Sequence, residues 1–377
     1  MTDINLLRQQ FGSRYGDRGT AFAAPGRINL IGEHTDYNGG FVFPAAIDRG
    51  ISAIIRPNGS DRVRLYASDL KEECTFATSD SEGPSDNNFR YVYGVVRELM
   101  AAGVALGGFD AVYGGDVPLG AGMSSSAALE CCFAYGLNSL FGGSLDSMTL
   151  ARIGQATEHK YLGVKCGIMD QFASMHGREG SLIRLDCRSG EYEYYPWNPG
   201  SHKLLLINSC VRHELVGSPY NERRASCERV AAAAGVESLR DCTWEMLERV
   251  RPTLSAEDMR RARYVLGEYD RVLAVCKALE DNDYETVGRK MYETHEGLSH
   301  DYEVSCDELD FLVAEARRMG VSGSRLMGGG FGGCTINLVG NELYDSFVSE
   351  IQERYRQRFG IDCQAIPVAI GPGARRL

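Results

Sequence analysis

From Pro118 to Glu130 the chain reads PLGAGMSSSAALE. Gly120 and Gly122 flank Ala121, Met123 follows, and Ser124, Ser125 and Ser126 lead into an Ala/Leu-rich run. Glycines let a backbone approach an anion closely, and the first turn of a helix adds unpaired N–H groups and the positive end of its dipole. Serine hydroxyls placed there hydrogen-bond phosphate oxygens or, as hard oxygen donors, ligate Mg2+. The same spacing also fits a glycine turn with a serine N-cap and no ligand at all. No G-x-x-x-x-G-K-[ST] occurs in the chain, so this is not a P-loop.

Three other segments carry chemistry. Ala24 to Gly40 (APGRINLIGEHTDYNGG) runs an apolar Ile28/Leu30 alternation into Glu33, His34, Thr35 and Asp36. Acids and an imidazole packed that tightly suit a polyhydroxylated ligand or a metal, although one His is few for a metal, and a solvated loop is the alternative. If the segment is a stiff strand end, residues two apart such as His34 and Asp36 reach the same ligand edge. Gly163 to Phe172 (GVKCGIMDQF) places Asp170 in an apolar, sulfur-rich stretch, where a carboxylate is costly unless paired. A capping or core-paired Asp is the plain reading of it. Met327 to Cys334 (MGGGFGGC) holds five glycines in positions 328–333, which suits backbone packed on a ligand or merely a tight turn.

The elements that must position these segments are mixed. Ile51–Arg56 and Arg62–Ala67 alternate like strands, and Pro57-Asn58-Gly59 between them predicts a hairpin. Helical spacing runs over Phe89–Val104, Ser125–Leu140 and Ser147–Tyr161. Phe109–Tyr113, Ser181–Asp186 and Lys203–Asn208 (KLLLIN) read as strands. Amphipathic helices follow over Glu222–Ala234, Ser255–Leu279, Asp283–Ser299 and Cys306–Arg318, with a last helix near 341–358. The class is α+β rather than regular βαβ alternation. Trp197-Asn198-Pro199-Gly200 is the best boundary, dividing the chain into 1–200 and 201–377.

Two domains are expected from 377 residues. Forty Lys and Arg against 51 Asp and Glu give a net charge of −11, which argues against a nucleic-acid or anionic-membrane partner. Only six of the 40 are lysines, so phosphate chemistry must lean on Arg, backbone N–H groups and a metal. Twelve cysteines without a C-x-x-C pair suggest reduced thiols in a cytoplasmic enzyme. No secretory leader is visible, and the longest apolar run, Ala127–Phe141, is interrupted by Glu130 and Asn138, so no membrane span is expected.

Together the four segments resemble the GHMP small-molecule kinases and, within them, the galactokinase family. GRINLIGEHTDYNGGFVFPAAID (26–48) is similar to that family's N-terminal signature, VPLGAGMSSSAALE to the phosphate loop, CGIMDQF to the catalytic segment and GGGFGGC to the third motif; SPYNERRASCE (218–228) adds a family-specific stretch. Met123, Ala128 and Met327 depart mildly from the usual residues. The resemblance implies a two-domain GHMP kinase fold with the active site in the cleft between the N- and C-terminal halves. It implies transfer of the ATP γ-phosphoryl to the C1 hydroxyl of galactose, with Mg2+, in a monomer. A kinase for another sugar such as N-acetylgalactosamine and an inactive galactose/ATP sensor are the alternatives. Carried over by position, Asp170 is the base and Arg27 stands beside the transferred phosphoryl. Glu33, His34, Thr35, Asp36, Gly167 and Tyr220 contact the sugar. Gly120–Ser126 wrap the triphosphate, Ser68 lies on the nucleotide side, and Ser126 with Glu158 holds the metal. Arg27 cannot deprotonate and so supplies a fixed positive charge.

Overall fold

The computed structural model describes residues 3–16, 18–118, 120–212 and 219–377. Leu119 and Ser218, which belong to stretches singled out above, lie outside the described residues. Its largest sheet has six strands in the order Arg375–Arg376, Thr20–Asn29, Pro44–Pro57, Phe109–Gly115, Arg62–Ala67, Glu72–Ala77. The expected hairpin between Ile51–Arg56 and Arg62–Ala67 does not form. Phe109–Gly115 inserts between them, antiparallel to the first and parallel to the second. Pro57-Asn58-Gly59 still turns the chain, but Asn58 spends its side chain on Arg62 O and Asp110 rather than closing a two-strand ladder.

The Ser125–Leu140 helix packs on the Thr20–Asn29 and Pro44–Pro57 strands. Gly136 permits the contact: a Cβ there would lie 3.1 Å from both Phe22 and Ile55. Ser147–Thr157 ends in a π turn over Glu158–Leu162, where a continuous helix to Tyr161 was expected. Such widened turns recur at functional sites, and this one carries Glu158.

Four antiparallel strands make the second sheet, in the order Gly323–Met327, Gly332–Gly340, His202–Arg212, Gln364–Pro367. KLLLIN is buried on both faces. Leu205 and Ile207 meet the Asp307–Arg318 and Tyr344–Phe359 helices, while Leu204 and Leu206 join a core with Ile28, Leu30, Phe43 and Val272. That second core ties strand residues from both halves of the chain together beneath the site. Phe41–Val42, Ser181–Asp186 and Tyr192–Pro196 form a small third sheet.

Three helices start one residue inside the expected position, at Ala256, Tyr284 and Asp307, whereas Pro219–Ala234 starts three residues before the expected Glu222. Ser255 and Asp283 are N-caps, accepting from the Asp258 and Thr286 backbones at 3.0 and 2.9 Å. The helix from Tyr284 stops at Glu296 and widens into a π turn over Gly297–Asp301. After residue 367 the chain returns to the first sheet: Ile370 bridges Ile47, and Arg375–Arg376 pairs with Phe22–Ala23. Seven cysteines (131, 132, 227, 242, 276, 334 and 363) are buried free thiols. Among the described residues no helix is long and apolar enough to cross a membrane.

Candidate active site

The two glycine-rich segments fold onto each other. Gly120 and Gly122 both have φ of 71°, and a Cβ at Gly122 would sit 3.0 Å from Met327 O. Gly26 is pressed from the third side, where a Cβ would lie 2.5 Å from Met123 O. Arg27 N donates to that same carbonyl at 3.1 Å. The three segments thus enclose a cavity of about 310 Å3, lined by Arg27, Gly120–Ser126, Asp170 and Gly329–Gly333.

Ser124 departs from the plain helix-capping reading. It stands at the N-cap position with φ 58° and makes no capping hydrogen bond. Its hydroxyl donates instead to Asp170 Oδ2 at 2.5 Å. A left-handed non-glycine residue is strained. Here that conformation aims the hydroxyl away from the helix and leaves the first-turn N–H groups to the cavity.

Asp170 lies in the first turn of the Met169–His176 helix and accepts a hydrogen bond from Arg27 Nε at 2.8 Å. Its side chain is 33% exposed, so it is paired without being sealed. Arg27 follows a bulge in the Thr20–Asn29 strand, is buried, and also donates through Nη1 to Gly122 O. Burial works against its charge, yet Asp170 and then Glu33 hold the guanidinium above its ordinary pKa.

An adjoining cavity of about 280 Å3 shares Arg27, Ser126 and Asp170. Glu33, His34, Asp36, Gly167 and Tyr220 all line it. Asp36 opens a 3-10 turn over Asp36–Asn38, not the strand end expected, and His34 before it has φ 60°. Both still reach this cavity, because the loop folds back rather than running on. Burial, and then the charge of Asp170, push the Asp36 carboxyl up to about 6. Gly167 is required beside it, since a Cβ there would sit 1.8 Å from Asp36 Oδ2. Burial drives the His34 imidazole down to about 3, with the Gly329 backbone pulling the other way. His34 is therefore neutral. Thr35 does not line the cavity. Its hydroxyl donates to Gly32 O and Phe41 O at 2.9 and 2.6 Å, bracing the loop from behind.

Ser126 and Glu158 come together on the wall of the smaller cavity. Burial raises Glu158 to about 7, against the pull of Ser126 and with a push from Asp170. No group of three or more His, Cys, Asp or Glu among the described residues is arranged to hold a metal. A hydroxyl, a carboxylate and phosphate oxygens nevertheless make the all-oxygen, partly hydrated set that Mg2+ takes. Ser68 is flanked by Ala67 and Asp69, which line a third cavity of about 410 Å3 with Tyr91, Tyr113 and Ser125. The Ser68 backbone N–H is engaged by Tyr113 O at 2.8 Å.

Sequence reasoning missed Arg325, whose Nη1 meets Glu33 Oε1 at 3.0 Å. The signal available was a lone arginine in Gly323–Met327, a strand buried along its whole length. It also missed Glu130, buried in the Ser125–Leu140 helix, which accepts from Gln171 at 2.9 Å and braces the residue after Asp170. Tyr37 and Tyr302, behind His34, carried no local signal.

Three family models match the chain: the galactokinase galactose-binding signature over residues 9–57, the GHMP kinase N-terminal domain over 90–178, and the GHMP kinase C-terminal domain over 275–357. Human galactokinase is 42% identical over 93% of this chain and 90% of its own. The galactokinase of Roseiflexus sp. (strain RS-1) is 40% identical, covering 96% and 94%. The crystal structure of Lactococcus lactis galactokinase complexed with galactose superposes with a TM-score of 0.94 at 33% identity, over 99% of this chain and 100% of that one. Methanococcus jannaschii mevalonate kinase, at 18% identity and TM-score 0.70 over 94% and 99%, shares the fold. With such identity along almost its entire length, and with the four motifs gathered around one pair of cavities, this chain belongs to the galactokinase family.

Proposed function

We propose that Asp170 takes the proton from the C1 hydroxyl of galactose as Arg27 steadies the γ-phosphoryl arriving from ATP. ATP-dependent phosphorylation of galactose is the activity of the family to which the chain belongs. One observation carries the assignment of roles: the Asp170 carboxylate stands where the two cavities meet, held by Arg27 and Ser124 at 2.8 and 2.5 Å. A base must lie within hydrogen-bond reach of the proton it removes, here on a hydroxyl that itself faces the transferred group.

The larger of those two cavities fits the triphosphate. Its glycine loops and the unspent N–H groups of the Ser125–Leu140 helix present donors to phosphate oxygens. The nucleoside fits the cavity beside Ala67, Asp69 and Tyr91, next to Ser68. Mg2+ held by Ser126 and Glu158 supplies charge neutralisation for the phosphates. Phosphoryl transfer through a loose transition state needs in-line placement and positive charge more than covalent help. Arg27 supplies both, since its Nε and Nη1 are pinned and its charge is fixed.

Galactose fits the smaller cavity, where Glu33, His34, Asp36 and Tyr220 offer polar groups to its hydroxyls and Gly167 leaves room for Asp36. An ADP-release assay over galactose, glucose and N-acetylgalactosamine tests the reading. Turnover greatest with galactose is expected, and turnover greatest with N-acetylgalactosamine would reassign the sugar.

A further inference from the structure

Behind His34 runs a chain of side chains that no catalytic step uses. His34 Nδ1 is 2.8 Å from the Tyr37 hydroxyl, which is 2.7 Å from the Tyr302 hydroxyl, which is 3.2 Å from Cys227 Sγ. Asn38 closes the far end, donating to Cys227 Sγ at 3.6 Å and to His34 O at 2.8 Å. His34, Asn38, Tyr302 and Cys227 are all buried. At the other edge of the ring, Nε2 is buried without a hydrogen bond of normal geometry among the described residues, although the Gly329 backbone lies close enough to the imidazole to favour a proton on it, and the side chain lines the sugar cavity.

A neutral imidazole carries one N–H, and the chain decides which nitrogen has it. Two proton orders are available. If Nδ1–H donates outward, the series ends with Tyr302 donating to Cys227, and the Cys227 S–H is left without an acceptor. If the order runs inward, S–H donates to Tyr302, Tyr302 to Tyr37, and Tyr37 to Nδ1. Every donor along the series then has an acceptor, leaving only Nε2–H to face the cavity, and the imidazole nitrogen, the best acceptor in the series, receives a phenol O–H rather than giving a proton to a weakly basic phenol oxygen. Asn38 fits this order because its N–H takes a sulfur lone pair and leaves the S–H to point at Tyr302.

We propose that Tyr37, aligned by Tyr302 and Cys227, is a positioning residue that locks His34 as the Nε2–H tautomer, so that His34 donates a hydrogen bond to a sugar hydroxyl oxygen. The proposal rests on the placement of galactose in this cavity. It gives the site a donor among acceptors: ionised Glu33, Asp36 and Asp170 can only accept from hydroxyls. A hydroxyl that gives its proton to a carboxylate keeps lone pairs for His34.

The test is 15N NMR of the His34 ring in the full chain, with and without galactose, alongside Tyr37→Phe and Tyr302→Phe. The parent is expected to show Nε2–H, shifted by galactose. Tyr302→Phe should keep that tautomer, since Tyr37 still donates to Nδ1. Tyr37→Phe should lose it, with the galactose KM rising about tenfold, the loss of roughly one hydrogen bond, and the ATP KM unchanged. A parent protonated at Nδ1 would overturn the tautomer assignment. A correct tautomer indifferent to galactose would overturn the contact with sugar and with it the donor role. A Tyr37→Phe protein with parental tautomer and KM would remove Tyr37 from the account.

Discussion

Glu33 and Arg325 form an ion pair with both side chains almost wholly out of solvent, at 3.0 Å, joining the sugar segment to the strand before the glycine cluster. Arg325 spends its other donors on backbone, through Nε on Leu30 O at 2.9 Å and through Nη2 on Asn29 O, while Gly328 N also donates to Glu33 Oε1 at 2.8 Å. Removing one partner of a buried pair strands the other charge and costs about 3–5 kcal/mol. Arg325→Met should lose that much stability in urea unfolding and raise the galactose KM, since Glu33 loses its support. A variant within about 1 kcal/mol of the parent would show that the pair matters little.

Asp170→Asn should still bind galactose and ATP but lose at least about a hundredfold in kcat, the usual weight of a general base. The amide keeps the shape and can still meet Arg27 or Ser124. Near-parental turnover would take proton transfer away from this residue.

Ser126→Ala and Glu158→Ala should shift the Mg2+ concentration needed for half-maximal rate while leaving galactose binding, followed by calorimetry, nearly unchanged. Both line the smaller cavity, which they reach from two helical segments. Unchanged Mg2+ dependence in both would assign the metal elsewhere.

Asp36 gives a pH signature. Its carboxyl titrates near 6 in the folded chain against 3.8 as a reference. The folded state therefore holds the proton more tightly. Its ionisation costs stability progressively as pH rises from about 4 to 6, reaching roughly 3 kcal/mol. Asp36→Asn lacks this group, so its stability relative to the parent should improve by that order between pH 4 and 7. Parallel stability curves for the two proteins would contradict the shift.

Galactose should be strongly preferred over glucose, which differs only in the orientation of the 4-hydroxyl. A closed cavity that pairs acids with hydroxyls leaves one partly unpaired when a hydroxyl is misplaced, and such sites can discriminate by up to about 10^4. Comparing kcat/KM for the two sugars checks this, and a ratio under roughly tenfold would contradict it.

Local pattern made much of the fold legible. KLLLIN, the Ala/Leu run after Ser126 and the acidic helix starts follow from periodicity and capping alone. The failed hairpin shows the limit: Ile51–Arg56 and Arg62–Ala67 are each strands, but pairing depended on Phe109–Gly115, far along the chain. The site divides in the same way. Motif residues were legible because each segment is dense in one chemistry. Tyr302 and Cys227 were not, because each looks like an ordinary core residue until His34 is beside it, and the lone arginine of Gly323–Met327 signals a buried charge without naming Glu33 as its partner. Even Arg27 and Asp170, 143 residues apart, could be paired only through the resemblance.

The return of Arg375–Arg376 to the first sheet sets a schedule for the making of this protein. The strand bearing Arg27 is flanked on one side by Pro44–Pro57, an early neighbour, and on the other by residues 375–376. A nascent chain thus holds one unpaired edge of that strand open, a place where another chain can pair, through the synthesis of the whole second sheet. The strand that carries Arg27 waits for residues made some 350 positions later before its second edge is covered.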